Sequence, residues 1–180
     1  DYTVIPNGVD FTIFRPMDPI CASKILGITC KKKIVLFLGD PKNPMKNYKL
    51  LKDAIATKTI REDIELLVPY RVSSNKIPYY LNVADVLVHT SYYEGSPNII
   101  KEAMACNLPI VCTDVGDVSE VIGNVEGCYI TKFDSKNVAT NINSALNFGK
   151  KTKGREKIKH LELSVVARKI ARVYKKAITL

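Results

Sequence analysis

Apolar and polar positions change period repeatedly along the chain, and each change marks a new element. Residues 34–38, Ile-Val-Leu-Phe-Leu, form an unbroken apolar run, the pattern of a strand buried on both faces. Behind it, Tyr48, Leu51, Ala54 and Ile55 recur at helical spacing. The alternation then repeats, with predicted strands at 64–68, 86–88, 109–112 and 127–130. Between and after them come predicted helices crossing 79–83, at about 97–106, near 118–122 and at about 135–146. Short apolar strands alternating with helices predict a parallel sheet covered on both sides. Right-handed crossovers make this an α/β, Rossmann-like, doubly wound domain. Such sheets bind ligands at the carboxyl ends of their strands, where the strand order reverses. The loops after Leu38, Val68, His89 and Cys112 are therefore the ones to search.

Two segments fall outside the alternation. Residues 5–16 contain Asn7-Gly8, a strong turn signal, so residues 1–16 read as a connector. Residues 17–160 form the ligand-binding domain and residues 161–180 a terminal helix. Within that helix Val166, Ile170, Val173 and Ala177 line one face, and the opposite face is strongly basic. A chain of 180 residues fits one domain with a full core. No apolar run approaches the roughly 20 residues of a membrane span. The first residues carry no basic region and no signal-peptide core, and begin as if inside a strand, so the chain reads as the middle of a longer protein.

Charge narrows the partners. The net charge is +9, with Lys31 to Lys33, a cluster from Lys150 to Lys159, and a third group from Arg168 to Lys176. Such a balance favours acidic partners. Aromatic residues are not interleaved among these bases as on a nucleic-acid platform, so nucleic acid is not expected. A missing partner domain or an anionic membrane surface fits better, and solvated charge is the simplest alternative for any one run. The five cysteines lack CxxC spacing, and neither His89 nor His160 sits among further metal ligands. Cys106, Cys112 and Cys128 lie in apolar stretches, as buried thiols of a reducing, cytoplasmic compartment do.

The candidate chemistry sits on two loops. After His89 the chain reads Thr90-Ser91-Tyr92-Tyr93-Glu94-Gly95-Ser96-Pro97-Asn98. Ser96 is placed to cap a helix and Pro97 to occupy its first position, where the missing N–H costs nothing. The free N–H groups and positive dipole end of that helix make an anion site, which Gly95 lets a ligand approach closely. Glu102 lies five residues beyond Pro97, roughly 7–8 Å along the helix. A ribose attached to a phosphate at the helix start reaches that depth, where a carboxylate accepts from both vicinal hydroxyls. Asn98, Lys101, Glu102 and Ala105 nevertheless share one stripe, which can equally face water. The second loop, Gly39-Asp40-Pro41-Lys42-Asn43-Pro44-Met45-Lys46-Asn47, brings two lysines over the crevice, where they can neutralise a diphosphate or simply be solvated. It contains neither a P-loop nor a GxGxxG, which argues against a dinucleotide cofactor.

The run ADVLVHTSYYEGSPNIIKEAMACNLPIVCTDVGDVSEVI, with VIPNGVD before it and LFLGDPKNPMKNYKLL between, resembles the C-terminal half of the retaining GT-B glycosyltransferases of family 4, also called group 1. The likeness spans essentially the whole chain and centres on a Glu-x7-Glu pattern. It implies that Glu102 binds the donor ribose and that Glu94 contacts the donor sugar. It also implies that backbone around Gly95, Ser96, Pro97, Asn98 and Ile99 holds the diphosphate, and that Lys46 is the phosphate-binding lysine. The family's usual arginine after the glycine of the first loop is Asp40 here, and Lys42 is the nearest substitute. GT-B enzymes as a class need no metal for the leaving group, so Asp114 to Asp117 reads as a structural loop beside the donor, and no cofactor is expected.

The resemblance implies a glycosyltransferase of hexosyltransferase type, and this chain is its donor-binding half. On that resemblance a nucleoside-diphosphate sugar is the expected donor, and a glycan or lipid-linked acceptor is expected to be held by an N-terminal domain outside these residues, as in polysaccharide or glycolipid synthesis. The isolated domain is expected to be inactive in transfer. A catalytically inactive nucleotide-binding module and a sugar-nucleotide epimerase of the same fold stay open. Docking on the absent domain and peripheral contact with a membrane stay open for the terminal helix.

Overall fold

The computed structural model describes residues 3–178 apart from Cys30 and Glu62. Asp1, Tyr2, Thr179 and Leu180, at the outer ends of the expected connector and terminal helix, and the Cys30 thiol lie outside the described residues. Helix α1 (Pro19–Leu26) precedes β1 (Lys33–Leu36), and α2 (Tyr48–Ile55) leads to β2 (Ile64–Leu67). Then follow α3 (Ile77–Val83), β3 (Val86–His89), α4 (Asn98–Ala105), β4 (Ile110–Thr113), α5 (Val118–Ile122), β5 (Cys128–Thr131) and α6 (Ser135–Phe148). Two further helices, α7 (Gly154–Lys157) and α8 (Leu163–Ile178), close the described chain.

The expected strands all form, and they pair in parallel in the order β2-β1-β3-β4-β5. After β2 the chain crosses back over β1 to place β3 on its other side. The strand order reverses there, so the loops leaving β1 and β3 diverge and open a crevice at their carboxyl ends. Alternate strand residues feed two core layers. Ile34, Leu36, Leu87, Ile110 and Cys112 pack with residues of α3, α4 and α5. Val35, Phe37, Val86, Val88 and Val111 pack with residues of α2 and α6. Burial on both faces is why these strands read as continuous apolar runs rather than alternating ones.

Helix α1 escaped the apolar pattern because periodicity does not make it. Asp18 caps it by accepting from the N–H of Ile20, Pro19 opens it, and Gly27 ends it in the left-handed conformation. Only Ala22 of this helix is buried, and Ile20 and Ile25 stay exposed.

The N-terminal segment is fastened to the C-terminal region. The N–H of Val9 donates to the Leu161 carbonyl at 2.9 Å, and the N–H of Leu163 donates to the Val9 carbonyl at 3.0 Å. Arg155 ties the same segment to α4: its guanidinium donates to the carbonyls of Phe14 (2.7 Å), Phe11 (2.9 Å) and Ala105 (3.1 Å), and lies 4.1 Å from the Phe11 ring centroid. Arg155→Ala removes these charged donors and the stacking together. It is expected to lower stability by about 2 kcal/mol, read as a lower urea midpoint at unchanged slope. Along α8 only Val166 is buried, while Ile170 and Val173 are 41% and 40% exposed. No helix among the described residues is long and apolar enough to cross a membrane.

Candidate functional site at the carboxyl ends of β1 and β3

The loops after β1 and β3 are stitched to each other. The turn Pro44–Lys46 is capped by the Asn43 side chain, which accepts from the N–H of Met45, and Asn47 ends it at φ 47°. From the other loop, the Thr90 hydroxyl donates to the carbonyls of Lys46 (3.1 Å) and Asn47 (3.0 Å), and the Tyr92 N–H donates to the Met45 carbonyl (2.9 Å). Thr90 is fully buried, so these bonds fix the Lys46 backbone against the end of β3.

Lys46 and Glu94, both singled out in the sequence, meet there. Lys46 Nζ lies 2.5 Å from Glu94 Oε1, and the Ser91 hydroxyl donates to the same oxygen at 2.9 Å. Burial works to raise the Glu94 pKa, but the hydrogen bonds from Lys46 and Ser91 outweigh it and hold the carboxyl below its usual range. These contacts fall on Oε1, which leaves Oε2 for a ligand. His89 Nε2 also faces Oε1, at 3.6 Å, from a side chain that is almost wholly buried. Burial pushes its pKa down to about 4, so it is neutral at physiological pH.

The start of α4 differs from expectation in one respect. Ser96 does not cap the helix: Pro97 occupies the N-cap position, and no side chain bonds the first-turn amides. The Ser96 hydroxyl is occupied elsewhere, donating to Asp117 Oδ2 at 2.6 Å and accepting from Lys101 Nζ at 2.5 Å. The amides at the start of α4 are thereby left without a side-chain acceptor, as an anion site requires. Gly95 is exposed, with nothing within 4 Å of where a side chain would begin. Behind it, Gly116 (φ 58°) comes so close that a Cβ there would lie 2.0 Å from the Gly95 carbonyl oxygen. The Asp114 to Asp117 loop is thus the backing of the Glu94–Gly95 turn.

The polar stripe on α4 does not face water. Lys101 and Ala105 are fully buried, and only Asn98 is exposed. Lys101 Nζ reaches Asp117 Oδ2 at 3.4 Å and donates to the Asn7 carbonyl at 3.1 Å, bonding α4 to the N-terminal segment. Spacing alone left this open: the i−4, i+3 and i+4 neighbours of Lys101 are Pro97, Met104 and Ala105, but Asn98 stands at i−3.

Glu102 lines a cleft of about 360 Å³ with Leu38, Gly39, Ile99, Tyr70 and Arg71. Burial raises its carboxyl pKa to about 7. Asp40 lines the same cleft: its carboxylate accepts the N–H of Lys42 at 2.9 Å, and its other oxygen accepts the Tyr70 hydroxyl at 3.4 Å. Arg71, which sequence reasoning left unassigned, adds a cation beside the ring of Tyr70, donating from Nε to the Tyr70 oxygen at 3.1 Å. Its left-handed backbone (φ 53°) is a feature that no residue pattern announced. Lys42 is exposed on the loop above. The fold therefore pairs Lys46 with Glu94, sets the open turn of Gly95 to Ile99 beside them, and places Glu102 in the adjoining cleft.

Residues 66–147 match the family model described as Glycosyl transferases group 1. A putative teichuronic acid biosynthesis glycosyltransferase, TuaC of Bacillus subtilis, is 42% identical over 140 residues, covering 68% of this chain and 36% of TuaC. Sucrose-phosphate synthase from Thermosynechococcus elongatus superposes with a TM-score of 0.82 at 20% identity, covering 98% of this chain and 53% of that one. Anabaena Alr3699/HepE, solved in complex with UDP-glucose, gives a TM-score of 0.76 at 22% identity, over 97% of this chain and 57% of that one. The chain thus spans about a third of the TuaC length and about half of each solved structure. The parallel sheet and its helices match the C-terminal halves of GT-B glycosyltransferases.

Proposed function

The chain belongs to the group 1 glycosyltransferases, and from that premise we propose that it is the half that binds a nucleoside-diphosphate sugar. The observation that carries this is the Lys46–Glu94 pair at the edge of an open, uncapped helix start, with the Glu102 carboxylate lining the adjoining cleft. The ribose hydroxyls donate to Glu102. The diphosphate lies on the backbone N–H groups of Gly95, Ser96, Asn98 and Ile99, with Pro97 shaping the turn between them, countered by Lys46 and by Lys42, the substitute for the arginine that Asp40 displaces. Oε2 of Glu94 accepts from a hydroxyl of the sugar. HepE was solved in complex with UDP-glucose, which favours a uridine donor for the first trials.

Transfer then needs an acceptor, glycan or lipid-linked, held by a second domain. The bond from the sugar's anomeric carbon to the phosphate oxygen breaks, the acceptor oxygen attacks the same face, and its proton passes to the departing phosphate. Configuration is retained. Lys46, Lys42 and the start of α4 stabilise the charge that builds on the diphosphate. Binding in this scheme uses no divalent ion, so EDTA is expected to leave the dissociation constant unchanged.

Incubating the chain with UDP-glucose, GDP-mannose and ADP-glucose, with and without simple sugar acceptors, tests this by calorimetry and product analysis. One donor should bind without turnover. Epimerised sugar formed without acceptor would replace the proposal by an epimerase, and absence of binding by every nucleotide would refute it. Gly116→Ala provides a second check. The added methyl group displaces the Glu94–Gly95 turn, and donor affinity should drop about tenfold.

A further inference from the structure

Among the described residues, His89 Nε2 is one of only two buried side-chain polar atoms without a hydrogen-bond partner. A buried polar atom left unpaired is costly, and such a group in a folded protein calls for an explanation. It faces Glu94 Oε1, 3.6 Å away, just beyond hydrogen-bond reach. The same oxygen is already served by Lys46 and Ser91. Lys46 therefore has two demands on one ammonium: the Glu94 carboxylate, and the diphosphate that the proposed function assigns to it.

We propose that His89 is a positioning residue for Glu94: as Lys46 turns toward the diphosphate, the Nε2–H of His89 closes on Oε1 and keeps Oε2 aimed at the donor sugar. The inference rests on the donor-binding reading. The geometry suits the exchange. His89 sits at the rigid end of β3, paired in register with Cys112 of β4, while Glu94 lies on the turn that follows and has only a few tenths of an ångström to move. Neutral imidazole donates without adding a charge that would compete with Lys46 for the phosphates. Ser91, the remaining donor to Oε1, cannot on its own replace a charged partner.

The separable consequence is the increment in affinity that the sugar contributes. His89→Leu removes the donor and keeps the bulk apolar; His89→Gln keeps an amide N–H near the position of Nε2. Calorimetry on both variants with UDP and UDP-glucose, or with GDP and GDP-mannose if guanosine proves to be the base, compares the two dissociation constants. In His89→Leu the preference for the sugar nucleotide over the bare diphosphate should fall about tenfold, with diphosphate binding within about twofold of the parent. His89→Gln should restore most of that preference. Equal weakening of both ligands in His89→Leu, an undiminished preference in it, or a Gln variant as impaired as the Leu variant would each overturn the assignment. A parent chain that binds no nucleotide at all would instead remove the donor-binding reading, and this inference with it.

Discussion

Glu102→Ala should weaken donor binding at least a hundredfold at pH 8. Two ribose hydroxyls donating to one partly buried carboxylate are worth about 1.5–3 kcal/mol each, and alanine leaves both unpaired in the cleft. The loss should also depend on pH. Burial holds the Glu102 carboxyl at about 7, so near neutrality a large fraction is protonated before the donor arrives. The hydroxyls bind the ionised form better, so binding releases a proton, and affinity should rise with pH through the range around 7 and flatten above it. A sugar nucleotide is the right probe, because its diphosphate lacks the second ionisation near pH 6 of a terminal phosphate. His89, neutral throughout this range, does not confuse the profile. Glu102→Gln should flatten it. The same shift has a consequence for folding. A carboxyl whose folded pKa is raised binds more protons folded than unfolded, so its contribution falls as pH rises from the ordinary carboxyl range through about 7. Glu102→Gln should remove that decline from the pH dependence of the urea midpoint.

Lys46→Ala should cost about two orders of magnitude in affinity for the diphosphate and leave the weak binding of the bare nucleoside unchanged. The backbone at this position is held by Thr90 and Tyr92 rather than by the lysine side chain, so the turn should survive the substitution. What disappears is the cation facing the phosphates, in a half-buried setting where charge pairs are screened less than at an open surface. Glu94 then loses the hydrogen bond that offsets its burial, and its pKa should move upward. Comparison of nucleoside with nucleoside diphosphate in a calorimeter separates this charge effect from a general loss of the pocket. Equal losses for both ligands would mean that Lys46 supports the turn and does not face the diphosphate.

The fold was legible because strands buried on both faces need continuous apolar runs and their helices need a 3.6-residue stripe. Residues 34–38 and 86–88 carry that signal without ambiguity. Helix α1 was not legible, since its ends are fixed by Asp18 and Gly27 while its apolar residues stay largely in solvent. At the site, the pattern put Lys46 and Glu94 in segments at the carboxyl ends of strands and Glu102 on the helix that follows, where the structure has them, but spacing could not distinguish a wet stripe from a buried one on α4. The ion pair of Lys101 with Asp117 decides that, and it joins residues from two different crossovers. Ser96 shows the same limit from the other side: a serine before a proline reads locally as a cap, and a partner distant in sequence took its hydroxyl instead. The loops after Leu38 and Val68 were among those the fold pattern singled out, but that Asp40, Tyr70 and Arg71 line one cleft follows only from the sheet that brings those loops together.

The departure that stands out against the family resemblance is Asp40. It holds the loop through the Lys42 amide and accepts from Tyr70, a structural use of a carboxylate where the resemblance leads one to expect a phosphate-binding cation. Cys106 and Cys112 are buried and Cys128 partly so, and burial pushes the thiols of Cys106 and Cys128 up to about 12 and that of Cys112 in the same direction, away from reactivity.

The most direct test is calorimetric titration of this chain with UDP, GDP and ADP and their common sugar derivatives at pH 8, repeated on Glu102→Ala. One base series should bind, with the alanine variant at least a hundredfold weaker for every member of it. A Glu102→Ala chain that binds its nucleotide as tightly as the parent would contradict the placement of the ribose, and with it the orientation of the donor along α4.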